Sequence, residues 1–141
     1  PALPDSKFVI QIINSLKNLS LLTQTENSLE INKLHIVRGN NDFELYPNEL
    51  ILEIEGHKLY ITHGHIQDIE HSDQKIYDVG FSNNANVILF GHTHDPKLYH
   101  KDGILMINPG SVSLPRNITY KSMAILYIDD ENNILWMSSI C

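Results

Sequence analysis

The stretch Asn86-Val87-Ile88-Leu89-Phe90-Gly91-His92-Thr93-His94 decides how this chain is read, because a short apolar run leads straight into two histidines one residue apart. Residues 87–90 are unbroken and partly β-branched, the pattern of a strand covered on both faces. Gly91 then lets the backbone turn. His92 and His94 stand at i and i+2, so they point the same way in an extended chain and fan around one point in a tight turn. Either arrangement presents metal ligands at a strand end. Alone, His-x-His is more often a pair of surface or core histidines than a metal site; here other segments accompany it.

Length and composition bound the reading. The 141 residues, with 42% hydrophobic and 19% charged, suit one soluble globular domain over 1–141. Ten Lys plus Arg against seventeen Asp plus Glu give a formal charge of −7, which argues against a sequence-blind grip on nucleic acid. A phosphate substrate stays open, since bound divalent cations reverse the field locally. Cys141 is the single cysteine, so an intrachain disulfide is ruled out and a reducing compartment is the simpler expectation. No apolar run approaches the ~20 residues of a membrane helix, and a cytoplasmic protein is expected.

Along the chain, Val9, Ile12, Ile13, Leu16 and Leu19 recur at helical spacing and predict an amphipathic helix over 6–19, followed by a loop over 20–32. Residues 34–37 read as a strand ending in Arg38-Gly39-Asn40-Asn41-Asp42. Residues 49–55 and 58–62 read as a hairpin about Gly56-His57, with the second strand running into His63-Gly64-His65. A helix is expected over 72–81. Asp102-Gly103 marks a hairpin between 97–100 and 104–107, which leads into Asn108-Pro109-Gly110-Ser111. A last hairpin joins 123–128 to 134–137.

Four segments thus share one plan, an apolar strand followed by glycine and by polar residues able to hold a metal or phosphate: Gly39-Asn40-Asn41-Asp42, His63-Gly64-His65, Gly91-His92-Thr93-His94 and Asn108-Pro109-Gly110-Ser111. The ends after Val37, Ile61, Phe90 and Ile107 are expected along one sheet edge, where α/β folds place ligands. In this order the motifs resemble the calcineurin-like metallophosphoesterase family. The continuation through Arg116 looks most like its small bacterial phosphodiesterase branch. The resemblance implies a four-layer α/β/β/α sandwich with two divalent ions at the strand ends, manganese first and iron, zinc or nickel as alternatives. Asn40, His63 and His92 match ligands of the second metal and His94 a ligand of the first. It further implies hydrolysis of a small-molecule phosphodiester by a metal-bridging hydroxide. Asp42 is a candidate for ordering its loop around the metals, beside ordinary turn stabilisation, and Thr93 is expected to face away from them. Ser111 and Arg116 either hold a phosphate or shape a surface loop. His35, His57, His71 and His100 belong to no motif and read as solvated or structural.

The match has departures. The family's opening Asp-x-His and Gly-Asp motifs do not occur in these residues, and a strand-helix-strand unit needs roughly 30 or more residues. The chain therefore looks like a member lacking its N-terminal strand-helix-strand unit. As given, it is expected to bind a divalent metal weakly, to catalyse little or nothing, and, unless another segment covers the exposed apolar surface, to be of low stability or to associate with its own copies. Asn41 stands where larger phosphatases place a histidine that assists the leaving group. His65 is the nearest motif residue for that acid role, beside the structural reading in which it only orders its loop. The rival reading is a non-catalytic protein-binding scaffold, as in the retromer subunit that resembles this family; nuclease action is disfavoured by the acidic balance.

Overall fold

A computed structural model describes residues 6–14, 18–25, 33–39, 46–54, 56–93, 96–111, 121–129 and 134–140. Strands Ser6–Asn14 (β1), Asn18–Thr25 (β2) and Lys33–Arg38 (β3) begin the chain. Glu49–Ile54 (β4) and His57–Thr62 (β5) follow, then the helix Gln74–Ser82 (α1) and strand Val87–Leu89 (β6). Lys97–Lys101 (β7), Ile104–Asn108 (β8), Ser122–Asp129 (β9) and Ile134–Ile140 (β10) complete it. They form two five-stranded sheets, β10-β9-β1-β2-β3 and β4-β5-β6-β8-β7.

The first sheet is antiparallel throughout. In the second, β5, β6 and β8 run parallel, with Leu59, Val87 and Leu105 in register at one end and Ile61, Leu89 and Ile107 at the other. Antiparallel β4 and β7 flank them. These inner strands are buried on both faces, which is why they read as unbroken apolar runs. Leu59, Ile61, Val87, Leu89 and Ile107 pack against Ile12, Leu19, Val37 and Leu126 of the facing sheet. The opposite face, through Tyr60, Ile88 and Met106, receives Ile76 and Tyr77 of α1. Each such side chain, once fully buried, stabilises by roughly 1.5–3 kcal/mol. Helix, second sheet and first sheet give the α/β/β part of the expected sandwich. No helix among the described residues is long and apolar enough to cross a membrane.

Two expectations are corrected. Residues 6–19 are not a helix, and 20–32 is not all loop, because β1 and β2 occupy 6–14 and 18–25. The apolar residues of 6–19 include Val9, Ile10, Ile12 and Ile13, whose branched Cβ atoms favour a pleated strand. Ile12 is held between Leu21 of β2 and Ala124 of β9, a distant partner that no local pattern reveals. The four strand ends also do not share one sheet: β5, β6 and β8 do, whereas β3 pairs with β2 in the other. The expected hairpins of 49–62 and 97–107 form about Gly56 (φ +82°) and about Asp102 (φ +45°) with Gly103 (φ +85°).

Candidate metal centre

The parallel register builds the site. With Ile61 opposite Leu89, the residues two further on bring His63 opposite Gly91, whose N–H donates to the His63 carbonyl at 3.0 Å. His92 follows directly, and the His63 and His92 rings meet edge to face with centroids 5.2 Å apart. His65 joins them, 5.2 Å from His63 and 6.3 Å from His92, with its Nδ1 3.2 Å from Nδ1 of His63. His63 is 1% exposed, so its imidazole is committed to the interior.

The loops are fixed by backbone geometry and one amide. Gly64 has φ +103°, and a Cβ there would stand 2.8 Å from Ile69 Cγ2. The chain folds back so that Ile69 N–H donates to the Gly64 carbonyl at 3.2 Å, and Glu70 returns to the histidines. Its Oε1 lies 2.6 Å from His92 Nε2. His92 itself adopts φ +66°, a left-handed conformation that costs a non-glycine residue on the order of 1 kcal/mol. Asn108 at the end of β8 donates to the Gly91 carbonyl and to Thr93 Oγ1, so Thr93 is engaged with the neighbouring loop. Ser122 Oγ donates to the Pro109 carbonyl at 2.8 Å and its N–H to the Ser111 carbonyl at 3.0 Å, seating that loop on β9.

Burial first, then the nearby His92 and Arg38 charges, holds the His65 pKa below its usual 6.5. Both effects disfavour the protonated form of His65. Arg38, whose charge acts on His65, is the last residue of β3 and belongs to the other sheet. Of the remaining histidines, His71 pairs with Asp68 at the surface at 2.6 Å and His57 Nδ1 bonds the Asn86 amide at 2.7 Å.

Of the residues expected from the sequence, His63, His65 and His92 come together. Asn40, Asp42 and His94 lie outside the described residues, as do Asn41 and Arg116. Among the described residues no three His, Cys, Asp or Glu side chains are gathered tightly enough to hold a metal ion as they stand. As they stand, the Nδ1 atoms of His63 and His65 face each other and Nε2 of His92 faces Glu70. The donor chemistry nonetheless fits a divalent first-row ion, iron, zinc or nickel most readily, since the imidazoles of His63, His65 and His92 come together at the strand ends. Sequence reasoning missed Glu70, because its place depends on the fold-back after Gly64 and no spacing marks it.

A family profile for the calcineurin-like phosphoesterase superfamily domain matches residues 7–131. The probable metallophosphoesterase YsnB of Bacillus subtilis (strain 168) is 38% identical over 97 residues, covering 68% of this chain and 57% of that protein. Phosphodiesterase YfcE of Escherichia coli (strain K12) is 31% identical over 113 residues, covering 73% of this chain and 55% of that protein. The crystal structure of a conserved protein from Streptococcus pneumoniae TIGR4, described as a predicted phosphoesterase, matches with a TM-score of 0.64 at 32% identity. That match covers 74% of this chain and 69% of the other. The chain thus spans little more than half the length of these two curated relatives.

Proposed function

Because the chain belongs to the calcineurin-like phosphoesterase superfamily, we propose that the protein hydrolyses a small-molecule phosphodiester with divalent metal ions held by Asn40, His63, His92 and His94. The observation that carries this is the edge-to-face approach of His63 and His92 at the ends of two adjacent parallel strands. The name of the Escherichia coli relative supports the diester class. Divalent ions, when bound, would neutralise phosphate charge and lower the pKa of water so that hydroxide is available as the nucleophile. The remaining work falls to the chain. Burial of His63 keeps its ring in one orientation, the Asn108 bonds hold the loop that carries His92, and Asp42 is assigned to ordering the loop that bears Asn40. His65 is the proton donor for the leaving group.

The experiment is hydrolysis of a chromogenic phosphodiester by the whole protein with Mn²⁺, with chelator, and with His92→Ala. Turnover is expected with metal and lost in the other two. Turnover that survives both chelation and His92→Ala would overturn the reading.

A further inference from the structure

Glu70 belongs to none of the four motifs, yet its carboxylate stands 2.6 Å from His92 Nε2. We propose that Glu70 is a positioning residue for the metal centre: it accepts the Nε2 proton of His92 and so leaves Nδ1 as the nitrogen with which that ring ligates a metal. The proposal rests on the metal-dependent reading above and adds a residue to it. An ionised carboxylate only accepts hydrogen bonds, so a contact of this length puts the proton on Nε2. A neutral imidazole carries a single N–H, and the lone pair is then on Nδ1.

The contact is built into the fold. His92 is only 12% exposed and packs against the His63 ring, and flipping its ring would take Nε2 away from Glu70. Glu70 is half exposed, but the turn that delivers it is held at several points. Thr62 Oγ1 donates to Gln67 Oε1 at 3.0 Å, and Gln67 Nε2 donates to the Tyr60 hydroxyl at 3.2 Å. Tyr60 in turn donates to Glu49 at 2.6 Å. A carboxylate behind a ligand histidine fixes its tautomer and makes the opposite nitrogen more basic.

The test follows the histidine ring nitrogens of the metal-free 141-residue chain by ¹⁵N NMR, and Mn²⁺ binding by calorimetry in wild type, Glu70→Ala and Glu70→Gln. The pH is kept well above the ordinary imidazole pKa of about 6.5. His92 is expected as the Nε2–H tautomer in wild type. Glu70→Ala should bind Mn²⁺ about 10- to 100-fold more weakly, and Glu70→Gln, whose amide oxygen still accepts, should recover most of that loss. A wild-type Nδ1–H tautomer, or Mn²⁺ binding by Glu70→Ala that is unchanged or tighter, would overturn the proposal while leaving the metal reading intact. Absence of Mn²⁺ uptake by the wild type itself would remove both.

Discussion

Asn108 reaches from the end of β8 to Thr93, donating to Thr93 Oγ1 at 2.9 Å and to the Gly91 carbonyl at 3.2 Å, while its own Oδ1 accepts from Gly110 N–H at 3.0 Å. One buried amide thereby brackets His92 and ties two of the motif loops together. Asn108→Ala leaves the Gly91 carbonyl and the Gly110 N–H without these bonds, so a loss of about 2–3 kcal/mol in urea unfolding is expected, with weaker Mn²⁺ binding. Unchanged stability would mean that the loops are held by other contacts.

Gly64 and Gly56 form a matched pair for measuring strain. Both have positive φ, but a Cβ on Gly56 meets nothing within 4 Å whereas one on Gly64 meets Ile69 Cγ2 at 2.8 Å. Gly56→Ala is expected to cost about 1 kcal/mol for the backbone alone. Gly64→Ala should cost more, about 2–3 kcal/mol, because overpacking adds to it. Equal losses in thermal unfolding would show that Ile69 yields freely.

The parts of the fold legible in the sequence are those fixed locally. Val87 and its neighbours announce a strand buried on both faces, and Asp102-Gly103 announces a turn that needs left-handed backbone. The stretch around Ile12 misleads because its apolar spacing suits a helix as well as a strand, and the choice is made by pairing with Ala124 far along the chain. The site divides the same way. His63 and His92 are legible because each follows a strand and a glycine accompanies it, while the register that sets their rings side by side is not. Glu70 has no signal of its own, since only the fold-back after Gly64 brings it to His92.

Asp73 ties α1 to the sheet through bonds from the Tyr99 hydroxyl at 2.7 Å and Lys101 Nζ at 2.5 Å. Burial opposes its ionisation, yet the Lys101 and Tyr99 bonds outweigh that and hold its pKa below the usual 3.8. A depressed carboxyl pKa contributes stability above 3.8 that is lost as pH falls through the lower folded value. Asp73→Asn is therefore expected to be less stable than wild type by about 1–2 kcal/mol at neutral pH, with the gap closing only in stronger acid. A gap independent of pH would assign the loss to packing.

The proton donor proposed above, His65, must be protonated to act, and burial, His92 and Arg38 hold its pKa below 6.5. The rate of the whole protein should therefore fall as pH rises through that lowered value, while ligand histidines demand the opposite. His65→Ala is expected to reduce kcat by about 100-fold and to remove the alkaline fall, with Mn²⁺ affinity kept. Persistence of the same alkaline limb in this variant would transfer the role elsewhere.

The most direct test of the account is a Co²⁺ titration followed by ¹H NMR of the histidine ring protons, assigned with His63→Ala and His92→Ala. Hyperfine-shifted signals are expected from His63 and His92 together, and each is expected to vanish in its own variant. Shifts confined to exposed histidines such as His71 and His100, or none at all, would contradict a metal centre at the ends of β5 and β6.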